Sequence, residues 1–265
     1  MALLSDISWE EVEQELKETK VALIPVGSTE QHGFHMPMGS DTYCAYEVAK
    51  RTAAKERAIV VPAIPFGISH CHMSFPGTIT LSCDTLFRVV MDVCTSLNKH
   101  GVDKFIFING HGHNTPTLQT AMDEFKKERE VLLFVIQWWI AGFKLTPNLW
   151  SSNKEDLPDG HAADVETSGM LAINSQLVKM GKADRVVLSS LGKSGIKFNK
   201  STSVVLKDYP VDLVTISDFK QFTKSGVIGS SLAATKEKGE IVLDKVSDFL
   251  AELIRELKKL NTETV

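Results

Sequence analysis

The stretch that decides the fold is Lys104-Phe105-Ile106-Phe107-Ile108, which is followed at once by Asn109-Gly110-His111. Its apolar residues are continuous instead of alternating with polar ones, which is typical of a strand buried on both faces. Similar strands are predicted at Val21–Val26, Ile59–Val61 and Val131–Ile140. Such strands occur in parallel sheets covered by helices, so the sequence predicts an α/β fold with a mostly parallel sheet.

Helical patterns separate these strands. Ser8 and Glu11 form a predicted capping box at the start of the first helix, and Asp84 is the predicted N-cap of a later one. The other predicted helices are Thr42–Glu56, Pro116–Glu128 and Ala233–Lys259. The polar stretches 150–158 and 192–212 are interpreted as loops or a small excursion. We therefore predict a single domain over residues 1–265, a length within the range of one large α/β domain.

Composition and charge exclude several classes of protein. The net charge is −4 and basic residues are dispersed, so no positive field would attract nucleic acid. No run approaches about 18 consecutive apolar residues, so neither a membrane span nor membrane association is predicted. No signal peptide is visible at the start. The four cysteines lack CxxC spacing, which favours reduced thiols and a cytoplasmic location.

Seven of the eight histidines fall in four short clusters. The clusters are Glu30–His32 with His35 and Asp41, His70–His72, His111–His113, and His161 with Glu166. Imidazole and carboxylate groups are the usual protein ligands of divalent cations. Three clusters follow the ends of predicted strands, where ligands bind in open parallel sheets. The sequence therefore predicts a metallohydrolase whose clusters converge on one crevice.

The first cluster has the spacing of metal ligands. Glu30 and His32 lie two residues apart on an extended segment, so their side chains face the same way. Asp41 follows just before a predicted helix, and a carboxylate can bridge two cations about 3.5–4 Å apart. The alternative is that Asp41 caps the helix while Glu30 and His32 are solvated loop residues.

The second and third clusters differ in how strongly they indicate a metal. The glycines around His111 permit close backbone approach to a ligand, and the flanking asparagines can orient ligands. The alternative is a glycine turn with incidental histidines. His72 precedes the Pro-Gly turn at Phe75–Thr78. We interpret His72 as a substrate-binding residue and not as a metal ligand.

The fourth cluster combines a histidine and a carboxylate near a predicted helix start. His161 has an unperturbed pKa near neutrality and is a candidate general acid or base. Glu166 lies five residues later, which is not the same helical face, so one of the two should lie on the loop side of the helix start. The alternative for Glu166 is favourable electrostatics in the first helical turn.

Five ordered stretches resemble the creatininase (creatinine amidohydrolase) family. They are Val26–Gly33 with Pro37, Gly39, Asp41 and Thr42; Phe75–Thr78; Asn109–Gly112; His161–Ala162 with Glu166–Ser168; and Ser225–Gly229 before Ala233 and Gly239. The resemblance covers roughly residues 15 to 250. It implies a creatininase-like, single-domain α/β/α sandwich of three layers, which is usually a homo-oligomer and often a hexamer.

The resemblance also implies two divalent metal ions per chain, with zinc or manganese typical. Glu30 and His111 would hold one ion and His32 the other, while Asp41 would bridge them.

In creatininase a glutamate two residues after the position of His111 binds the second ion, and this chain has His113 there. Either His113 or Glu166 would then complete the second metal site. We favour Glu166, with His113 beside the substrate. His161 matches the histidine that moves protons, so His161 and Glu166 are the predicted catalytic pair.

The resemblance does not select a substrate. Creatininase covers creatinine with a tryptophan shortly before the position of His161, whereas Leu157 and Pro158 occupy that stretch here and Trp150 lies farther upstream. The family also includes formamide hydrolases, a peptidase for a redox-cofactor precursor, and ring-opening hydrolases.

The predicted function is hydrolysis of a small molecule, a cyclic amide or a formamide, in which a metal-activated water attacks the carbonyl. One alternative is ring-opening hydrolysis of an oxidised cyclitol or keto-sugar at the same site. The other is a metal-binding protein that does not catalyse a reaction.

Overall fold

A parallel sheet of five strands forms the centre of the computed structural model, which describes residues 2–187, 196–200, 203–206, 212–214, 218–260 and 262. The strands are β1 (Ala2–Leu3), β2 (Val21–Val26), β3 (Ile59–Val60), β4 (Lys104–Asn109) and β5 (Leu132–Gln137), in the order β1-β3-β2-β4-β5. The pairing of β2 with β4 runs along both strands and ends with Val26 level with Asn109. The mostly parallel sheet predicted from continuous apolar runs is confirmed.

Helices cover both faces of this sheet. They are α1 (Trp9–Glu18), α2 (Ser40–Lys55), α3 (Cys83–Lys99), α4 (Asn114–Lys126), α5 (Trp138–Leu145), α6 (Asp164–Asn174) and α7 (Lys236–Lys258). Leu23 and Ile106 pack on one face with α2, α5, α6 and α7. Ile24 and Phe107 pack on the other face with α3 and α4. The α/β/α sandwich implied by the resemblance is confirmed.

One of the two predicted helix caps is present and the other is not. The capping box is present, because Ser8 accepts from the Glu11 amide and the Glu11 carboxylate accepts from the Ser8 amide. The prediction that Asp84 caps α3 is wrong. Ser82 is the N-cap and accepts from the Thr85 amide, which leaves Asp84 in the first turn, where a carboxylate is also favourable.

The apolar run at 131–140 contains two elements instead of one strand. β5 ends at Gln137, and α5 begins at the next residue. Gly142 lets α5 pack closely on α7, because a Cβ there would lie 2.5 Å from a methyl carbon of Val242. A short apolar run does not distinguish a buried strand from a buried helix, which is why the sequence predicted a longer strand.

The two stretches predicted as irregular have different structures. In the stretch 150–158, residues 154–156 form a single 3₁₀ turn, and residues 147–149 form another just before it. After β6 (Arg185–Val186), part of the stretch 192–212 is a small antiparallel sheet, and the rest lies outside the described residues. Its strands are β7 (Ile196–Lys200), β8 (Ser203–Leu206) and β9 (Asp212–Val214), and β10 (Gly229–Ser230) pairs with β6. None of the described helices has the length and apolarity needed to cross a membrane.

Candidate active site

The histidine clusters converge where β2, β3 and β4 end. Glu30 and His32 follow β2, His72 lies in the 3₁₀ turn after β3, and His111 follows β4. All four side chains are buried. The strands are parallel neighbours, so their carboxyl ends lie at one edge of the sheet and bring these residues together, as predicted.

Two glycines allow the start of α2 to approach this edge. A Cβ on Gly27 would lie 2.3 Å from the hydroxyl oxygen of Thr42, and one on Gly110 would lie 2.3 Å from the backbone oxygen of Asp41. Larger residues would therefore push α2 away from the strands. The glycines of the first and third motifs place the first turn of α2 at the site.

Asp41 does not cap α2, so the helix-cap alternative is wrong. The N-cap is Gly39, and no side chain caps this helix. The Asp41 carboxylate instead lies between two rings, with Oδ1 2.9 Å from Nε2 of His32 and Oδ2 3.4 Å from Nδ1 of His111. Each carboxylate oxygen thus faces a different histidine.

The rings of His32 and His111 each direct a lone pair toward the Asp41 carboxylate. Nδ1 of His32 lies 3.2 Å from the backbone oxygen of Glu30, and Nε2 of His111 lies 2.8 Å from that of Ile68. A carbonyl oxygen only accepts, so each of these nitrogens donates. In a neutral ring the other nitrogen is then an acceptor. Such backbone bonds are the usual way of orienting a histidine that binds metal.

The acceptor nitrogens of His32 and His111 and the carboxylate oxygens of Asp41 that face them fit a divalent cation. Lone pairs and carboxylate oxygens at these distances repel each other unless a proton or a cation lies between them. Nε2 of His32, Oε1 of Glu30 and Oδ2 of Asp41 are buried and have no hydrogen-bond partner among the described residues. Three groups of side chains have donor atoms within 4.8 Å of one another: Glu30–Asp41–His111, His32–His161–Glu166 and Glu30–His72–His161.

The protonation of the site in the absence of metal follows from the same contacts. Burial alone would lower the pKa of His32, but the carboxylates of Asp41, Glu166 and Glu30 together outweigh it and raise the pKa to about 10. The pKa of His111 is raised well above its usual value, because Glu30 and Asp41 outweigh burial. A cation bound here would displace these protons.

Glu166 reaches the site from the first turn of α6. Its Oε2 accepts from the Ala162 amide at 2.6 Å and lies 3.8 Å from Nε2 of His32. Burial, assisted by the nearby Asp41 carboxylate, raises the pKa of Glu166 to about 8. Because α6 begins at Asp164, His161 lies on the loop side of the helix start, as the five-residue spacing predicted.

His113 lies beside the site and contacts Cys71. Its Nδ1 lies 3.3 Å from the Cys71 thiol, and its ring centroid is 5.3 Å from that of His111. In the described part of the chain it joins none of the three groups of candidate ligands, whereas Glu166 does. The geometry therefore favours Glu166 over His113 as the remaining ligand. His113 lines the cleft beside the site, as expected of a residue near the substrate.

His72 and His161 both approach Glu30. Nε2 of His72 lies 3.2 Å from Oε1 of Glu30, and Nδ1 of His161 lies 3.8 Å from the same oxygen. His72 therefore both lines the cleft, as predicted, and contacts a candidate metal ligand, which was not predicted. Burial is the main cause that lowers the pKa of His72 to about 4 and the pKa of His161 well below its usual value.

The sequence did not reveal every residue of the site. Gln31 touches both of these imidazoles, and Phe219 packs edge-on against His72 with ring centroids 4.5 Å apart. Trp139, at the start of α5, lines the cleft, whereas Trp150 packs against Phe143. The position of Gln31 between two candidate ligands was a usable signal. Trp139 and Phe219 had none, because they approach through tertiary packing.

His35, which the sequence grouped with the first cluster, does not join the site. It is buried, and its Nε2 lies 2.9 Å from the hydroxyl of Thr167. It belongs to none of the candidate ligand groups in the described chain.

The cleft in front of these residues is small. Its volume is about 70 Å³, and its wall includes Asp159 and Gly160 beside the site histidines. That is far below the few hundred Å³ of a cavity that encloses a drug-sized ligand. A reacting carbonyl and its neighbours fit this space.

Comparisons with known proteins identify the family of this chain. A sequence profile of the creatininase family, described as creatinine amidohydrolase, matches residues 5–254. Creatinine amidohydrolase of Pseudomonas putida is 28% identical, with 96% of each chain covered. The 3-dehydro-scyllo-inosose hydrolase of Thermotoga maritima is 24% identical, with 95% of this chain and 82% of that protein covered. A solved structure described as creatininase Mn has a TM-score of 0.77 at 25% identity, with 96% of this chain and 98% of that chain covered. The chain is therefore an enzyme that belongs to the creatininase family of amidohydrolases.

Proposed function

We propose that this enzyme hydrolyses the carbon–nitrogen bond of a small cyclic amide or formamide. Water would attack the carbonyl carbon with the help of two divalent metal ions. The observation that supports this proposal is the Asp41 carboxylate, whose two oxygens face His32 and His111 separately. A carboxylate placed in this way can bridge two cations.

The remaining ligands follow from the groups around Asp41. Glu30 and His111 would hold one ion together with Asp41. His32 and Glu166 would hold the other, and we propose zinc or manganese in both positions. When bound, such ions supply a deprotonated water near neutral pH and polarise a carbonyl oxygen.

The chain's own residues position the substrate and move protons. His161 lies at the cleft, where it can accept a proton and deliver it to the leaving nitrogen. Burial lowers its pKa, which favours release of that proton. Glu166 accepts from the Ala162 amide, which keeps its carboxylate beside His32. His72, His113 and the aromatic rings of the cleft would surround the substrate and exclude bulk water.

One alternative substrate class has support. The resemblance to an inosose hydrolase keeps ring-opening hydrolysis of a keto-sugar or oxidised cyclitol as the second candidate function. The other alternative, a metal-binding protein without catalysis, is disfavoured because the chain belongs to a family of hydrolases.

Metal content tests the proposal. Protein purified without added metal is analysed by elemental mass spectrometry beside Asp41→Ala and the control Asp123→Ala, which changes an exposed carboxylate on α4. We expect about two zinc or manganese ions per chain in the wild type and the control, with both ions lost in Asp41→Ala. A wild type that takes up no metal on reconstitution would contradict the hydrolase mechanism.

Substrate screening follows from a positive metal result. The panel contains creatinine, other cyclic amides, N-formyl compounds and keto-inositols. We expect the wild type to hydrolyse a member of the panel and Asp41→Ala to lose that activity. Turnover of keto-inositols alone would favour the second candidate function, and turnover of none would contradict both proposed substrate classes.

We also propose a single domain, a cytoplasmic location and a homo-oligomer, with a hexamer favoured by the family resemblance. Light scattering on the metal-loaded protein measures the mass of the assembly. A monomer under these conditions would contradict the oligomer.

A further inference from the structure

Gln31 lies between two candidate ligands and has a fixed amide orientation. Its Oε1 accepts from the Gly33 amide at 2.9 Å, and its Nε2 donates to the Gly226 carbonyl at 3.2 Å. Exchanging the oxygen and nitrogen of the side chain would place a donor against a donor and an acceptor against an acceptor. The two backbone groups therefore decide which end of the amide faces the site.

The donor end of Gln31 has more neighbours than it has hydrogens. Its Nε2 lies 2.9 Å from Nδ1 of His72 and 2.9 Å from Nε2 of His161, in addition to the Gly226 carbonyl. Nε2 of His161 also lies 2.8 Å from the backbone oxygen of Gln31. A side-chain amide has two hydrogens to donate, and a backbone carbonyl only accepts.

Counting donors and acceptors separates two arrangements. In the first, Nε2–H of His161 donates to the Gln31 carbonyl, and the amide hydrogens go to Nδ1 of His72 and to the Gly226 carbonyl. All three acceptors are then satisfied. In the second, the amide donates to His161. The Gln31 carbonyl and one further acceptor then lose their donors, at a cost of about 1–3 kcal/mol for each buried group.

We propose that Gln31 is a positioning residue that fixes His72 and His161 as their Nε2–H tautomers. His72 then carries its proton on Nε2, which lies 3.2 Å from Oε1 of Glu30. That oxygen is buried and has no hydrogen-bond partner in the described chain. His161 keeps Nδ1 as its acceptor nitrogen.

The tautomer of His161 identifies the atom that moves the proton. Nδ1 accepts a proton as water attacks the carbonyl and delivers the same proton to the leaving nitrogen, so the ring returns to its Nε2–H form. This step rests on the proposed function. The tautomers themselves do not, because they follow from hydrogen bonds that need neither substrate nor metal.

The variant Gln31→Glu separates the contribution of the Gln31 side-chain amide from that of its backbone carbonyl. It keeps the side-chain length but replaces the amide donor with a group that only accepts at neutral pH. Nδ1 of His72 must then gain a proton to face it, whereas the bond from His161 to the backbone carbonyl is unchanged. Gln119→Glu makes the same change at an exposed position on α4 and serves as the control.

Long-range ¹H–¹⁵N correlation spectra of ¹⁵N-histidine protein test the proposal directly. Spectra are recorded for the zinc-loaded and metal-free forms and assigned with His72→Gln and His161→Gln. We expect Nε2–H tautomers for both rings in the wild type and in Gln119→Glu. In Gln31→Glu, we expect protonation of Nδ1 only at His72. An Nδ1–H tautomer of either ring in the wild type would overturn the proposal, even where Gln31→Glu does not fold.

The failure of this inference is distinguishable from failure of the proposed function. A protein that binds two metal ions but shows the other tautomers refutes the role of Gln31 alone. A protein that binds no metal refutes the hydrolase mechanism, and its tautomers can still be determined from the metal-free spectra.

Discussion

Gly110→Ala should weaken metal binding without changing any ligand. The new Cβ would lie 2.3 Å from the backbone oxygen of Asp41 and 2.8 Å from its carbonyl carbon, whereas ordinary contacts begin at 3.4 Å. The start of α2 must therefore move by about 1 Å, because both partners of the clash are backbone atoms. Metal–ligand distances tolerate about 0.2 Å. Since Asp41 faces both His32 and His111, the movement affects both metal positions.

The expected effects have defined sizes. Loss of ligand orientation typically lowers metal affinity by about 10–100-fold. Overpacking costs about 1–3 kcal/mol, which corresponds to a melting temperature lower by about 2–12 °C at roughly 2–4 °C per kcal/mol for a chain near this length. Zinc affinity is measured by competition with a chromophoric chelator, and stability by calorimetry of the metal-free protein.

Two other glycines provide matched controls. A Cβ on Gly112, in the same loop, would meet only a ring carbon of Trp139 at 3.8 Å, and one on Gly181 would meet nothing within 4 Å. We expect Gly112→Ala and Gly181→Ala to bind zinc like the wild type. Wild-type zinc affinity in Gly110→Ala, or an equal loss in Gly112→Ala, would refute the idea that close approach of α2 places the bridging carboxylate.

The remaining predictions concern the identity of the ligands and the protons that a metal displaces. Glu166→Gln should lose one of two ions, because Glu166 belongs to a candidate ligand group with His32. His113→Gln should keep both, because in the described chain His113 belongs to none of these groups and its Nδ1 lies beside the Cys71 thiol. Elemental analysis showing the reverse would exchange their roles. Zinc binding near pH 7 should release protons, because the pKa of His32 is raised to about 10 in the metal-free site. Calorimetry in buffers of different ionisation enthalpy measures this release, and a heat that does not depend on the buffer would contradict it. In the metal-free protein, the raised pKa stabilises the fold fully below about pH 6.5, and this stabilisation is lost as the pH rises toward 10.

The parts of the site that the sequence predicted are those fixed by local chain geometry. β4 is recognisable because burial on both faces requires a continuous apolar run. Glu30 and His32 were predicted to face one side because side chains alternate along an extended segment, and both reach the site, although Gln31 between them reaches it as well. Their meeting with His111 follows from the parallel pairing of β2 with β4, which places the ends of both strands at one edge of the sheet.

The parts that the sequence missed depend on contacts between distant segments. Gln31 contacts rings 41 and 130 residues away, so its neighbours could not be read from spacing. Trp139 lies in an apolar run that fits a strand as well as a helix, and only the end of the sheet decides where α5 begins. The stretch before His161 has no tryptophan, but Trp139 reaches the cleft from another element.

The tail motif, Ser225–Gly229, shows how a segment without candidate ligands contributes to the site. Ala162 has a left-handed backbone with φ of 54°, which costs an alanine about 1–2 kcal/mol, and its amide donates to Glu166. The neighbouring His161 carbonyl accepts from the Ile228 amide at 2.9 Å, and a Cβ on Gly160 would lie 2.1 Å from the Ile228 carbonyl oxygen. Close packing against the tail motif thus holds the strained turn in place. Ser225–Gly229 therefore supports the conformation that presents His161 and Glu166, which explains why a motif so far along the chain accompanies the metal-binding residues.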